Sequence, residues 1–339
     1  MSERKLATIR KIAEVKAIPD ADKICAYRVD GWWLVDSVGK YQVDDLVVYL
    51  EVDSFVPHEL APFLSKGKEP REFEGVKGER LRTVKLRGQL SQGLLLPIPE
   101  DTIKGAGHLI AEGLDLTEHL GILKWERPMN AQLAGMARGN FPSAVPKTDQ
   151  ERIQNLTRSF EQYQLDSWSI TEKLDGSSCT FYLDDAGEFH VCSRNLDLKE
   201  EAANSFWKVA RKFQIEDVMR RNFMKGMAIQ GEMIGEGIQG NQYKTQLDFY
   251  VYDMYNTHTG QYILPVQLKA ACERLGLKHV PILCEATEIK EQTIESILTF
   301  AEGKSILNGS EREGLVFKSN TVHDRSFKAI NNKWLLKNE

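Results

Sequence analysis

The feature that most constrains this chain is a change of period partway along it. From Lys5 to about Pro99, apolar residues recur at alternate positions in short runs separated by turn residues. TIRKIAEVKAI leads to a turn at Pro19-Asp20-Ala21-Asp22, and ICAYRVDGWWLVDSV and YQVDDLVVYLEV follow. After the loop SKGKEPREFEGVKGE comes LRTVKLRGQLSQGLLLPI. A helix-period pattern cannot settle as strands of this kind, so this region predicts a small all-β barrel or sandwich. Beyond Ser167 the pattern differs. Strand runs (WSITEKL, SCTFYLDD, EFHVCSR, MAIQGEMI, LDFYVYDMY, REGLVFKS) alternate with helical ones (KEEAANSFWKVARKFQ, PVQLKAACERLG, TIESILTFAEG). Asp-Gly and Ala-Gly turns between the early strands predict an α+β domain built on antiparallel sheets.

Two domains suit a chain of 339 residues. The expected division is a β domain over 1–121, a linker over 122–147 and an α+β domain over 148–339. ERPMNAQLAGMARGNFPSAVP, with three prolines and no sustained period, supports the linker. Thr148 and Glu151 have capping-box spacing, which predicts a helix through RIQNLTRSFEQYQ.

Composition narrows the function. Hydrophobic residues at 42% and charged residues at 27% exclude disordered, collagenous and coiled-coil classes. No run of about 18 apolar residues occurs, so no membrane partner is expected. MSERKLATIRK lacks the apolar stretch of a signal peptide, and the five cysteines form no CxxC. A cytoplasmic protein with reduced thiols is expected, the nucleus being left open, and seven scattered histidines without HExxH predict no zinc site. With 44 Lys+Arg against 49 Asp+Glu the net charge is −5, which argues against non-specific coating of nucleic acid. An enzyme of nucleic acid needs only a local basic face. Lys85 and Arg87 share one side of the strand RTVKLR opposite Val84 and Leu86, which suits a solvated face or a phosphate-tracking one equally.

Five segments carry groups suited to phosphoryl chemistry. Glu172-Lys173-Leu174-Asp175-Gly176-Ser177-Ser178 places a lysine at a strand end before a tight turn. A lysine amine attacks phosphorus only when burial, positive charge or a metal lowers its pKa. Asp175 would hold the ammonium or a nucleotide hydroxyl. Arg194, in Ser193-Arg194-Asn195, can fork onto a phosphate. Glu232 closes a strand, and Tyr252 lies on an aromatic strand able to stack on a base. Glu313 and Lys318 bracket Glu313-Gly314-Leu315-Val316-Phe317-Lys318, and Lys328 follows. Each alone has a plain structural alternative; their order and spacing together argue against chance.

The set resembles the motifs of the covalent nucleotidyltransferases, the polynucleotide ligases and mRNA capping enzymes. Within them it is most similar to ATP-dependent RNA ligases with an N-terminal OB domain. IPDADKI, RGQLSQGLLLP, KTDQERIQN, EKLDGSS, CSRN, QGEMIGEGIQGN, REGLVFK and SFKAINNKWLLK carry that likeness across nearly the whole chain. The resemblance implies a multidomain fold, an OB barrel followed by an adenylylation domain. It implies ATP as substrate, Mg2+ or Mn2+ as cofactor, and RNA ends or nicked duplexes as partners of a monomer. It makes Lys173 the nucleophile that becomes adenylylated. Glu172, Asp175, Gly176, Arg194, Glu232, Tyr252, Glu313, Lys318, Lys328 and Arg152 are then the nucleotide contacts, with Glu232 and Glu313 serving the metal. Arg152 is the expected pyrophosphate contact, and Lys85 and Arg87 the nucleic-acid contacts. One departure is that relatives often carry a K-x-K pair where this chain has Lys328 and Ile330, leaving Lys333 or Lys337 as substitutes.

Three other readings compete: a non-catalytic OB-type RNA-binding protein, a DNA ligase and a capping guanylyltransferase. The first leaves the ordered motifs unexplained. Capping enzymes and many DNA ligases place an OB domain after the catalytic one, and the about 20 residues beyond Lys318 are not expected to form a barrel. Gly235-Glu236-Gly237-Ile238-Gln239-Gly240 fits GxGxxG, but no apolar helix follows it, so a dinucleotide site is not expected.

Overall fold

The β-branched runs of the first region form strands wherever turn residues separate them. Ala7–Lys11, Leu46–Leu50 and Leu94–Leu96 make one antiparallel sheet, and Glu14–Ala17, Ile24–Val29 and Trp32–Ser37 make a meander. A third sheet runs Leu123–Lys124, Ser54–Pro57, Val76–Arg80, Arg71–Phe73, and Thr83–Leu86 pairs with Gln89–Gln92 as a hairpin. Alternate residues from these sheets bury Ile9, Val48, Leu50 and Val56 in one core and Tyr27, Trp32, Leu34 and Tyr49 in another.

The computed structural model describes residues 4–99, 110–126, 135–147, 149–222 and 224–338. It divides into two units, residues 1–128 with 154–157 and 335–339, and residues 129–153 with 158–334. Gln154–Thr157 belongs to the first unit through specific bonds. Gly31 N donates to the Gln154 carbonyl at 2.9 Å, and Trp32 Nε1 donates to Asn155 Oδ1 at 2.5 Å. A Cβ at Gly31 would lie 2.8 Å from Gln154 Cα, so this close approach requires glycine.

The helix expected from Thr148 is not formed as read. Thr148 lies outside the described residues, Glu151–Arg152 is a strand and Ile153–Leu156 a 3-10 turn, leaving only Phe160–Gln164 as α-helix. Parallel pairing of Glu151 with Phe327 and Arg152 with Lys328 binds that backbone elsewhere, so tertiary pairing overrides a local capping signal. Residues 122–147, expected as a linker, contain the strands Leu123–Lys124 and Ala137–Asn140.

The second unit holds two sheets. The larger has seven strands in the order Ala137–Asn140, Leu196–Leu198, Phe189–Cys192, Ser177–Leu183, Met227–Ile234, Asp248–Asn256, Gln261–Tyr262. Helices Ser205–Lys212, Ile215–Arg221 and Pro265–Leu275 bury Phe206, Trp207, Met219 and Leu268 with Phe181, Ile229 and Phe249. Asn204 caps the first, accepting from Phe206 N, so that helix starts later than its sequence period suggested. The smaller sheet runs Glu151–Arg152, Ser326–Ile330, Gly314–Ser319, Trp168–Lys173, Ile282–Thr287. Phe317 and Phe327 stack within it with ring centroids 4.5 Å apart, and Trp168 meets Phe327 edge-on at 5.0 Å. Among the described residues no helix is long and apolar enough to cross a membrane.

Candidate active site

Strand alternation sends Glu172 and Lys173 to opposite faces of the smaller sheet. Lys173 pairs in register with Gly314, which brings Glu313 beside it: Lys173 Nζ lies 2.6 Å from Glu313 Oε1. The chain then turns through Leu174-Asp175-Gly176 into Ser177–Leu183 of the larger sheet, where Ser178 stands opposite Glu232. A Cβ at Gly176 would lie 2.3 Å from the Met233 carbonyl oxygen, so only glycine lets this turn pack so closely. Tyr243 braces the turn. Its buried hydroxyl accepts from Asp175 N at 2.9 Å, and Gln239 Nε2 donates to the Gly176 carbonyl. Both side chains come from the glycine-rich loop between Met227–Ile234 and Asp248–Asn256, where no helix follows Gly240.

The electrostatics correct one expectation. Burial works to lower the Lys173 pKa, but Glu313, Glu232 and Asp175 outweigh it and hold the ammonium above the ordinary lysine value. The groups ringing Nζ are carboxylates, so the free protein keeps its nucleophile protonated. Glu232 shows the converse. Desolvation pushes its carboxyl up to about 8, with Lys173 and Arg194 opposing and Glu313 and Asp175 adding to the rise.

Tyr252 and Lys318 lie close to each other. The Tyr252 hydroxyl shares a hydrogen bond with Ser178 Oγ at 2.8 Å, and Lys318 Nζ lies 5.6 Å from the Tyr252 ring centre. Lys318 also donates to the Tyr252 carbonyl and pairs with buried Asp253 at 2.7 Å. Lys318 therefore joins the two sheets through a nearly buried ion pair. Lys328 Nζ sits 2.6 Å from Asp149 Oδ1, Arg194 Nη2 3.3 Å from Asp149 Oδ2, and the strand pairing sets buried Arg152 level with Lys328. Lys328 and Arg194 thus converge on Asp149, with Arg152 on the adjoining strand.

Some candidates fall elsewhere. The Glu172 carboxylate is buried and accepts from Ile306 N at 2.8 Å, with burial raising its pKa, so it secures the loop before Glu313 and leaves the Lys173 cluster to others. Arg87 occupies the hairpin turn at φ 48° rather than the strand, and Val84, Lys85 and Leu86 are all exposed; both sides of that hairpin face solvent, not one. Ile330 is buried, and Lys333 Nζ pairs with Glu302 at 2.6 Å, which holds that side chain on another carboxylate.

Four contributors went unread in the sequence. Ser178 ends the lysine segment but was given no role there, and its nearness to Lys173 was the available signal. Tyr243 lies in the loop set aside as a false dinucleotide motif. Asp253 adjoins Tyr252 on the same strand, and Asp149 stood inside the supposed capping box.

Comparison with known proteins places this geometry. An RNA ligase family model matches residues 166–330, and an OB-fold domain model matches residues 6–98. No curated protein matches. Among solved structures, the chain is similar to a mutant of the Naegleria gruberi RNA ligase without ligand, at 41% identity and TM-score 0.90, covering 100% of this chain and 99% of that one. A mutant of that ligase with ATP and Mn matches at 41% identity and TM-score 0.90, covering 98% and 99%. The same ligase with PPi matches at 42% identity and TM-score 0.90, covering 99% of each chain.

Proposed function

The chain belongs to the RNA ligase family, and from that premise we propose that it uses ATP to join a 5′-phosphate to a 3′-hydroxyl at nicks in RNA-containing duplexes. The observation that carries this reading is Lys173 Nζ at 2.6 Å from Glu313 at the mouth of the Asp-Gly turn, with Glu232 on the neighbouring sheet. Tyr252 offers its ring to adenine. Arg152, Arg194 and Lys328 are the cations for the phosphates, and Lys318 faces the α-phosphate only insofar as Asp253 releases it.

The residues beside Lys173 fit a divalent cation. Glu313 Oε2 is buried with no hydrogen-bond partner among the described residues, and Glu232 is pushed toward neutrality by desolvation. Glu232 and Glu313 would hold Mg2+ or Mn2+, directly or through water, as such hard cations prefer carboxylate oxygens. Bound there, the ion supplies charge neutralisation for the phosphates and favours the free amine of Lys173.

The remaining chemistry is in-line phosphoryl transfer. Lys173 Nζ attacks the α-phosphorus of ATP, an N–P bond forms, and the P–O bond to pyrophosphate breaks. Glu313 Oε1 is placed to take the proton that Nζ must lose. The AMP next passes from Lys173 to the RNA 5′-phosphate; the 3′-hydroxyl then attacks that phosphate and expels AMP. Asp175 and Gly176, held by Tyr243 and Gln239, keep the nucleophile's turn in place throughout. The OB unit grips the duplex with Lys85 and Arg87, and the protein works as a cytoplasmic monomer.

The decisive experiment supplies α-labelled ATP and Mg2+, denatures the protein and looks for covalent label. Wild type should carry label and Lys173→Ala should carry none. Label persisting in Lys173→Ala, or absent from wild type, would sink the lysyl-AMP assignment. Nicked duplexes with RNA or DNA independently on each side then fix the polynucleotide preference.

A further inference from the structure

Asp149 stands where a phosphate is expected. Its two carboxylate oxygens reach two different cations, Oδ1 to Lys328 at 2.6 Å and Oδ2 to Arg194 at 3.3 Å. Those cations belong to different sheets: Lys328 lies on Ser326–Ile330 of the smaller one, and Arg194 follows Phe189–Cys192 of the larger. The aspartate is also delivered by design of the backbone. It lies two residues before Glu151–Arg152, whose parallel pairing with Phe327 and Lys328 anchors the segment and sets Arg152 alongside. An anion with oxygens on two converging cations is the arrangement a phosphate group adopts between basic side chains.

We infer that Asp149 is the internal counter-ion of the phosphate end of this site, occupying Lys328 and Arg194 until the β,γ-phosphates of ATP displace it and returning to them when pyrophosphate leaves. The inference rests on the ligase reading above. A carboxylate carries one negative charge and pyrophosphate several, so the ligand wins the competition, but at a reduced affinity. That reduction has a direction in the reaction. Transfer of AMP to Lys173 is undone when bound pyrophosphate attacks the α-phosphorus of the lysyl-AMP, and weaker retention of pyrophosphate opposes the return. Asp149 is thus a positioning residue that tunes product release, and its removal should tighten the site. A residue that merely supported the fold would loosen it.

The test is calorimetric titration of the full chain with inorganic pyrophosphate in EDTA, for wild type, Asp149→Asn and Asp149→Glu. The Asn variant should bind pyrophosphate about tenfold more tightly, equivalent to about 1.4 kcal/mol. The Glu variant, which restores the charge, should bind as wild type does. In the self-labelling assay the KM for ATP should fall by the same factor in Asp149→Asn, with inhibition by added pyrophosphate correspondingly stronger. Should the Asn variant fail to fold, Asp149→Ser carries the same expectation. Unchanged or weaker pyrophosphate binding in a folded, charge-neutral variant overturns the inference. Failure of wild type to take label from ATP would instead overturn the ligase reading, while the pyrophosphate comparison would still decide the role of Asp149.

Discussion

Lys318→Met separates what this lysine does for the fold from what it does for a phosphate. In the free protein its ammonium is 2.7 Å from Asp253 Oδ1, with side chains only 14% and 6% exposed. Burial already raises the Asp253 pKa, and Lys318 is the chief group opposing that rise. Methionine fills a similar volume but strands the carboxylate. Breaking one side of a buried pair costs about 3–5 kcal/mol, because the remaining charge has lost both water and partner. Spread over a unit of roughly 200 residues, each kcal/mol lowers Tm by about 2–4 °C, so a fall of roughly 6–20 °C is expected. The pH dependence has a definite sign. A carboxyl whose folded pKa lies above its unfolded one binds more protons folded, so the penalty is present at high pH and fades as pH falls. The variant should therefore lie nearer wild type at pH 5 than at pH 8, in thermal melts followed by circular dichroism. Adding Asp253→Asn should recover at least half of the loss, since both charges are then gone. Self-labelling of that double variant reads the catalytic share alone. A single variant with an unchanged Tm at pH 8, or a double variant no more stable than the single, would refute this account of the pair.

Self-labelling by wild type should accelerate as pH rises through about 8, because carboxylates hold the Lys173 ammonium above its usual range and desolvation pushes the Glu232 carboxyl up to about 8; initial rates from pH 6 to 10 at one fixed, sub-saturating Mg2+ concentration check this, and a flat profile contradicts it. Raising the Mg2+ concentration should move the curve to lower pH, since metal and proton compete for the same carboxylates. Tyr243→Phe removes the acceptor of the Asp175 amide, leaving that N–H unsatisfied at about 1–3 kcal/mol, and should slow labelling by roughly 5- to 100-fold with little change in the KM for ATP. Changing Lys85 and Arg87 together to Ala should flatten the salt dependence of duplex binding by about two phosphate contacts' worth, measured by fluorescence anisotropy from 50 to 200 mM salt, and leave self-labelling intact.

Much of this protein is legible in its residue pattern. The period-2 runs located the strands of both units, because alternation is the direct imprint of a sheet with one buried face. The lysine motif, Glu232, Tyr252, Glu313 and Lys328 were singled out by their order and spacing, and the second unit carries Lys173, Glu232, Tyr252 and Lys328 on its strands, with Glu313 just before one. The helical run TIESILTFAEG was read as one element, and the fold forms it as Ile294–Ala301, with a capping box between Thr293 and Ser296 that the period alone did not show. The supposed box at Thr148 and Glu151 failed for a reason no local reading contains. Phe327 and Lys328, far along the chain, offered a strand edge to Glu151 and Arg152, and parallel pairing won over one helical turn.

The sequence by itself determined which residues could do chemistry and which segments could be strands, since both follow from side-chain type and short-range spacing. Only the tertiary structure decided what each charge meets. Glu172 and Lys173 are neighbours in the chain, yet the pleat sends one to the Ile306 amide and the other to Glu313. Asp149 lies 45 residues from Arg194 and 179 from Lys328, yet it bridges them. Ionisation follows the same rule. The direction of the Lys173 pKa depends on burial set against three carboxylates that reach it only through sheet register. Interaction energies between charges fall with distance and dielectric, and neither is defined until the chain has folded.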